Sequence, residues 1–220
     1  MTSTTSPVFK RLTREEMARK VADSFADGAY VNLGIGIPTL ISKCLPADRD
    51  VILHSENGIL GMGPGPADGS VDPSLLNASK EPVSLLPGAS ICDHSMSFAM
   101  MRGGHIDVSV LGAFQVSAKG DLANWDTGAP DAIPAVGGAM DLIAGAKQVV
   151  IVMEHVTKDG QPKIVDECTY PLTGSGVVNR IYTDCAVIDV TPQGLVVRSI
   201  VEGLDFEQLQ QMTGTRLQRG

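Results

Sequence analysis

The first strongly patterned stretch of the chain has a helical period. In residues 12–28, apolar side chains recur every four positions and share one face of an α-helix; they are Met17, Val21 and Phe25. Thr13 and Glu16 form the capping box that starts such a helix, and Gly28 stands where a C-terminal glycine would end it. We predict that this helix only packs against the core.

Short apolar runs after this helix have the length and composition of buried strands. They cover residues 29–33, 51–53, 106–111 and 148–153. Because helical or glycine-rich segments separate them, the pattern favours a parallel sheet. Two later runs, 186–190 and 195–200, flank a Thr-Pro-Gln-Gly turn and predict a hairpin. The sequence therefore predicts an α/β fold: an open, mostly parallel sheet with flanking helices and a small antiparallel addition near the C-terminus, in a single domain over residues 1–220.

A single carboxylate, Glu56, comes just after the predicted strand 51–53. Gly58, Gly61 and Gly63 follow it closely. Ligands of open α/β sheets bind beyond the carboxyl ends of the strands, and glycine lets the backbone approach a ligand closely. Glu56 is therefore placed to meet a substrate. The local pattern alone favours a solvated acid at the start of a tight turn, so the substrate-facing interpretation needs further support.

Two other glycine-rich turns border predicted elements. Gly34-Ile35-Gly36 follows Asn32 and leads into a helix predicted to start at Pro38, and Gly137 and Gly138 precede an amphipathic helix. Free backbone N–H groups at such turns can bind an anion or donate to an oxyanion. The alternative for both turns is a close contact between helix and strand that requires glycine.

Composition and charge exclude several classes of protein. The 220 residues carry a formal net charge of −8, which argues against a nucleic-acid partner because that affinity depends on Lys and Arg. The cysteines form no C-x-x-C pair and the histidines no metal-ligand spacing, so we expect reduced thiols, no metal site and a cytoplasmic protein. Residues 1–7 are polar, and no apolar run approaches the length of a membrane span, which predicts neither a secretory signal nor membrane insertion.

Several motifs carry a resemblance to a known family. The string Ser-Glu-Asn-Gly-Ile-Leu-Gly-Met-Gly-Pro at residues 55–64 resembles the nucleophile loop of the beta subunits of family I CoA-transferases. Residues 102–125 resemble that family almost without interruption, and Cys-Thr-Tyr-Pro-Leu-Thr-Gly at 168–174 resembles its Cys-Thr-x-Pro-Leu-Thr-Gly element. The resemblance runs from about Arg14 to Gly214 and implies the family I CoA-transferase fold.

The resemblance also implies a role for five residues. Glu56 would be the nucleophile that attacks an acyl-CoA and forms a glutamyl-CoA thioester. Gly137 or Gly138 would donate to the oxyanion, Asn32 would lie in the active site, and Lys80 would lie near the substrate or CoA. No cofactor is implied, because CoA arrives as a thioester substrate. A separate alpha chain would complete the enzyme.

The identity of the acid depends on a shorter segment. The sequence from Asn124 to Gly138 resembles 3-oxoadipate CoA-transferases more than acetoacetate-type ones, so we expect succinyl-CoA as donor and 3-oxoadipate as acceptor, with acetoacetate next. Two alternatives stay open. A sugar-phosphate isomerase of similar architecture would use Glu56 as a base, turn over alone and ignore CoA. A catalytically silent partner subunit would leave its complex active after Glu56 is replaced.

Overall fold

The computed structural model describes residues 9–66, 69–129 and 133–220. Residues 1–7, for which the sequence predicts no secretory signal, lie outside the described residues. The helices within the described ranges are α1 (Arg14–Ala22), α2 (His94–Arg102), α3 (Ala139–Gly145), α4 (Phe206–Gln211) and a 3-10 helix, Ile37–Lys43. The strands are β1 (Tyr30–Leu33), β2 (Ile52–Ser55), β3 (Ile59–Gly63), β4 (Ser84–Ile91), β5 (Val108–Leu111), β6 (Gln115–Ser117), β7 (Leu122–Ala123), β8 (Gln148–Met153), β9 (Ile164–Val165), β10 (Arg180–Thr183), β11 (Ala186–Thr191), β12 (Gly194–Ile200) and β13 (Leu217–Arg219).

A ten-stranded sheet runs through the chain in the order β13-β12-β11-β10-β8-β5-β1-β2-β3-β4. The five strands at its centre run parallel to one another; they are β10, β8, β5, β1 and β2. Antiparallel pairs extend both edges, and β6, β7 and β9 form a separate three-stranded sheet. The predicted α/β class, with an open and mostly parallel sheet, is confirmed.

The predicted position of the antiparallel addition was incomplete. Besides the predicted C-terminal hairpin of β11 and β12, the opposite edge carries β3 and β4, which pair antiparallel with each other. The glycines of β3 hid this strand, since glycine weakens the strand pattern. Gly61 has a φ of +81° and packs so closely on Ala89 that an added Cβ would lie 3.0 Å from the Ala89 Cα. The register of the two strands shifts between Leu60 and Met62 at this point.

Alternating side chains of the central strands fill two cores, one on each face of the sheet. In β8, Val150 and Val152 join the core on the α1 side. Val149, Ile151 and Met153 join the other core, which contains residues of α2, α3 and α4. The central strands are therefore covered on both faces, which leaves their ends as the accessible part of the parallel sheet.

The capping box predicted for the first helix is present. Glu16 N–H donates to Thr13 Oγ1 at 3.1 Å, and Thr13 N–H donates to Glu16 Oε2 at 2.7 Å. The helix ends earlier than predicted, at Ala22, although Phe25 stays buried in the turn that follows. The helix predicted from Pro38 is the 3-10 helix, whose first turn is closed by Thr39 N–H donating to the Gly36 carbonyl at 3.1 Å.

The carboxyl ends of four neighbouring strands meet along one edge. Gly34 follows β1, Glu56 follows β2, Gly112 follows β5 and Glu154 follows β8. All four residues line the same cleft. From β1 the chain adds β2 on one side and later β5 and β8 on the other, so the strand order changes direction beside β1. Open α/β sheets bind their ligands at such a point.

Three further findings bear on the classes of protein that composition excludes. The cysteines are free thiols, with Cys44 and Cys185 buried. Within the described ranges, no three His, Cys, Asp or Glu side chains group closely enough to hold a metal ion. None of the helices described above is both long and apolar enough to cross a bilayer.

Candidate active site

Glu56 stands at the tip of the tight turn between β2 and β3. Gly58 N–H donates to the Ser55 carbonyl at 2.9 Å and closes the turn. Gly58 has a φ of +111°, and an added Cβ would lie 2.1 Å from the Cys92 carbonyl oxygen. Because only glycine fits there, the turn holds a fixed shape and presents the Glu56 side chain at the end of the parallel strand.

The Glu56 carboxylate lies directly against the Gly137–Gly138 turn. Gly138 directly precedes α3, and its backbone N–H donates to this carboxylate. A Cβ at Gly138 would lie 2.3 Å from Glu56 Oε2, and one at Gly137 would lie 3.8 Å from Oε1. The structure thus brings together Glu56, Gly137 and Gly138, three of the residues singled out from the sequence.

Four effects act on the protonation of Glu56. Burial raises the pKa of the carboxyl, and the negative charge of Asp141 raises it further. The Gly138 N–H and the charge of His94 act in the opposite direction, and the balance leaves the Glu56 pKa above its ordinary value. Asp141 is itself paired with Arg102, at 2.6 Å. Glu56 is therefore a half-buried carboxylate held by one backbone donor.

A chain of buried hydrogen bonds reaches the Glu56 backbone from the sheet. Asn32 Nδ2 lies 3.0 Å from His54 Nδ1, and His54 Nε2 lies 3.0 Å from Ser97 Oγ. Ser97 Oγ donates to the Glu56 carbonyl at 2.7 Å. Asn32, His54 and Ser97 are all buried. The chain links β1, β2 and α2 to the turn that carries Glu56.

The proton positions in this series of hydrogen bonds follow from the groups at its two ends, the Glu56 carbonyl and the Asn32 amide. A carbonyl oxygen only accepts, so Ser97 Oγ–H donates to Glu56 and Ser97 Oγ accepts from His54 Nε2–H. His54 Nδ1 then accepts from the Asn32 amide. Burial lowers the pKa of His54 to about 4, so the ring is neutral at pH 7, as this arrangement requires. The network assigns His54 the Nε2–H tautomer.

Asn32 and Lys80 lie outside the wall of the cleft. Asn32 is buried beneath the turn and reaches Glu56 only through His54 and Ser97. Lys80 is exposed, and its φ of 63° is the only positive value for a non-glycine residue in the described ranges. Its neighbour Ser79 does line the cleft. The structure therefore places Asn32 behind Glu56 and Lys80 beside the opening.

The cleft in front of Glu56 has a volume of about 570 Å³. Glycine-rich turns after β1 and β5, together with the Gly137–Gly138 turn, form much of its wall. Glu56 lies at one end, beyond β2. Arg14, Glu154 and Lys163 lie at the other, beyond β8. The cleft thus has a carboxylate at one end, a charged cluster at the other, and small or apolar groups between them.

A comparison with known protein families identifies the family of the chain. A family model described as Coenzyme A transferase matches residues 14–211. This chain belongs to the CoA-transferase family. The resemblance seen in the sequence is confirmed over nearly the same range.

The chain is also similar to individual CoA-transferases, in sequence and in structure. The chain is 61% identical over 209 residues to a subunit of 3-oxoadipate CoA-transferase from Acinetobacter baylyi, covering 95% of this chain and 96% of that one. It is 44% identical over 200 residues to a subunit of succinyl-CoA:3-ketoacid coenzyme A transferase from Helicobacter pylori, covering 91% and 96%. The crystal structure of an acyl-CoA transferase from Escherichia coli O157:H7 superposes with a TM-score of 0.72 at 22% identity, which shows a shared fold; this chain covers 42% of that one.

Sequence reasoning missed several residues around the carboxylate of this CoA-transferase. The most consequential are His54, Ser97, His94 and Asp141; Lys163, at the opposite end of the cleft, was also missed. His54 had a detectable signal, since it extends the continuous apolar run 51–53, which is typical of a strand buried on both faces. Ser97 and His94 lie on α2, far from Glu56 in sequence, and nothing local indicates which helix packs on the turn.

Proposed function

We propose that this chain is the nucleophile-bearing subunit of a 3-oxoacid CoA-transferase that moves CoA from succinyl-CoA to 3-oxoadipate. The observation that supports this most directly is the half-buried Glu56 carboxylate held against Gly138 at the end of the cleft. The name of the A. baylyi relative favours 3-oxoadipate as acceptor. The name of the H. pylori relative, which specifies only a 3-ketoacid, keeps other 3-oxo acids open, and we propose acetoacetate as the second choice.

The reaction proceeds through two anhydrides and one thioester. A Glu56 oxygen attacks the thioester carbonyl of succinyl-CoA and expels CoA thiolate, which leaves a mixed anhydride. The thiolate attacks the Glu56 Cδ, releases succinate and forms glutamyl-CoA. The acceptor carboxylate then attacks this thioester, and the returning thiolate takes the acyl group and frees Glu56. No electrons or protons are exchanged overall, so the proposal needs no resident cofactor.

The groups around Glu56 suit these steps. Burial strips water from the carboxylate and protects the anhydride and the thioester from hydrolysis. Backbone N–H groups at Gly137 and Gly138 are proposed to meet the tetrahedral oxyanions, and a donor of this kind is worth about 3 kcal/mol. Asn32 acts through His54 and Ser97 to hold the turn. Lys80, next to the cleft-lining Ser79, is proposed to meet the anionic part of the substrate.

A second polypeptide is part of the proposal. The A. baylyi and H. pylori relatives are each named as one subunit of their enzyme. We therefore expect an alpha subunit to close the open side of the cleft and complete the CoA site, with both chains in the cytoplasm.

Replacement of Glu56 tests the proposal. Glu56→Gln keeps the shape of the side chain but removes the anionic nucleophile, so transfer by the complex with its alpha subunit should vanish while assembly persists. Glu202→Gln, at an exposed glutamate that does not line the cleft, is the matched control and should retain full activity. Activity is measured as acyl-CoA formation from succinyl-CoA with 3-oxoadipate and with acetoacetate.

Trapping the intermediate makes the assignment specific. Incubation of the complex with succinyl-CoA and no acceptor should leave CoA on Glu56, and borohydride should reduce that thioester to an alcohol. Peptide mapping should place the modified residue in segment 51–64. A label elsewhere, or exchange of CoA by Glu56→Gln, would refute the role of Glu56; isomerisation of a sugar phosphate by the chain alone would support the isomerase alternative.

A further inference from the structure

The end of the cleft opposite Glu56 contains a half-buried lysine, Lys163. Its backbone is fixed just before β9, where Lys163 N–H donates to the His155 carbonyl at 3.2 Å and its own carbonyl accepts from Val116 N–H at 2.9 Å. Its side chain lines the cleft together with Arg14 and Glu154. These backbone hydrogen bonds fix the point from which the lysine side chain extends into the end of the cleft.

Both acids near Lys163 already have a partner of opposite charge. Glu154 is paired with Arg14 at 2.8 Å, and Asp184 is paired with Arg11 at 2.8 Å. Asp184 also accepts from the backbone N–H of His155 at 2.7 Å.

Within the described part of the chain, the Lys163 ammonium makes no ion pair of its own. Burial lowers the Lys163 pKa, although the charges of Glu154 and Asp184 oppose that effect. An unpaired, partly desolvated cation in a chain of net charge −8 is unusual, because burial of an ion is costly unless something compensates it. An anionic group that enters the cleft would supply that compensation.

The distance from Glu56 to this end of the cleft limits the size of the anion. Glu154 follows β8 and Glu56 follows β2, with β5 and β1 between them. Three spacings between neighbouring strands amount to about 14 Å. Glu56 and Lys163 both extend into this span, which leaves room for an acyl chain of a few carbons with a polar contact at each end. The wall between them is formed largely by glycine and apolar residues such as Gly34, Gly112 and Ala113.

We propose that Lys163 forms a second anion subsite, which binds the far carboxylate of a dicarboxylic acyl group while its near carbonyl lies at Glu56. This subsite rests on the proposed function, since it assumes that the acyl group reacts at Glu56. It makes Lys163 a specificity-determining residue that distinguishes dicarboxylic from monocarboxylic 3-oxo acids.

A carboxylate fits this subsite better than a phosphate of CoA. Lys163 offers one unpaired cationic group, since Arg14 is paired with Glu154, and its charged neighbours include the carboxylates of Glu154 and Asp184. These acids would repel a phosphate dianion more strongly than a carboxylate. The path from Glu56 is also lined by small and apolar groups, which suit a methylene chain.

The test compares two acids of equal length. 3-Oxoadipate and 3-oxohexanoate share a six-carbon chain and differ in the far carboxylate. In the assembled enzyme, Lys163→Met should lower kcat/KM for 3-oxoadipate by about ten- to a hundredfold, the value of a charge-assisted hydrogen bond, and leave that for 3-oxohexanoate within twofold. Lys163→Arg should retain most of the discrimination. Lys158→Met, in an exposed turn, is the control and should change neither value.

The possible outcomes distinguish a failure of the proposed Lys163 subsite from a failure of the proposed transfer reaction at Glu56. An equal loss for both acids would mean a structural role for Lys163, and a loss that follows the CoA thioester whatever the acid would indicate a phosphate site; either result overturns the subsite. Adipate and hexanoate serve as unreactive probes in a thermal shift measurement on the same complex. If adipate stabilises the wild type more than hexanoate and Lys163→Met removes the difference, the subsite stands even where transfer fails; no difference in the wild type overturns it.

Discussion

At the scale of a single residue, Glu56 as the proposed nucleophile has to meet two opposing requirements. A nucleophilic carboxylate has to be ionised, which water favours, yet it has to be shielded from water so that the acyl intermediates survive. Burial raises the Glu56 pKa, and the N–H of Gly138 and the charge of His94 limit that rise. The acid Asp141 acts against them. The surroundings therefore set the pH below which the nucleophile is protonated.

This balance of charges predicts how a substitution near Glu56 shifts the acid limb of the pH profile of kcat/KM. Asp141→Asn removes a negative charge that raises the Glu56 pKa, so the pKa should fall. The acid limb of kcat/KM against pH should therefore shift to lower pH. Asp159→Asn, in an exposed turn, should leave the limb in place. The measurement is a pH profile of transfer by the assembled enzyme; an unmoved or raised limb for Asp141→Asn would contradict the electrostatic account.

At the scale of elements, three separate segments fix one turn. The hairpin of β2 and β3 carries Glu56, α2 supplies Ser97 beneath it, and the turn before α3 supplies Gly138. The segment after the hairpin is also attached, since Ala78 N–H donates to Ser55 Oγ at 3.0 Å. Because contacts from different elements hold the turn, the position of the carboxylate depends on how the helices pack as well as on the turn itself.

Ser97 is the contact whose loss can be measured most cleanly. Ser97→Ala leaves the Glu56 carbonyl and His54 Nε2 without their partner, which should cost about 1–3 kcal/mol of unfolding free energy. The turn should also loosen, and since a shift of about 1 Å can cost a hundredfold, we expect kcat to fall by up to that factor with a smaller change in KM.

A control on the same helix isolates the position of Ser97. Ser95→Ala lies on the exposed side of α2 and should change neither stability nor kcat. Urea denaturation and steady-state kinetics on the assembled enzyme provide both measurements. A normal kcat in Ser97→Ala would show that the hydrogen-bond chain does not position the nucleophile.

At the scale of the whole molecule, apolar runs in the sequence predicted four of the five parallel central strands, β1, β2, β5 and β8, and missed β10. The strand 148–153 has the predicted bounds, because its continuous apolar run is typical of a strand buried on both faces. Local patterns could not reveal β3, because glycine interrupts it, or the strands β7 and β9 of the small sheet, because each has only two residues. In the site, Glu56 and the glycine pair had local signals. Ser97 and Lys163 had none, since their roles depend on which elements pack together.

The two buried histidines predict how stability depends on pH. Burial lowers the pKa values of His54 and His155 to about 4, whereas an unfolded chain has histidines near 6.5. The unfolded state therefore binds more protons below pH 6.5. The stability from keeping both rings neutral is fully present above that pH and is lost as the pH falls toward 4. At pH 5.5 each histidine should cost on the order of 1 kcal/mol of unfolding free energy relative to pH 7.5.

His155 allows this to be tested away from the cleft. Its ring lies between the hydroxyls of Thr183, at 3.1 Å, and Thr213, at 2.9 Å, so His155→Gln should lower stability at every pH. The informative quantity is the difference in unfolding free energy between pH 7.5 and 5.5, measured by urea denaturation. We expect His155→Gln to reduce it by on the order of 1 kcal/mol, because glutamine cannot take up the proton. His105→Gln, at an exposed position, should leave the difference unchanged. If His155→Gln retains the full difference, the acid sensitivity comes from other groups and His155 is not held neutral by burial.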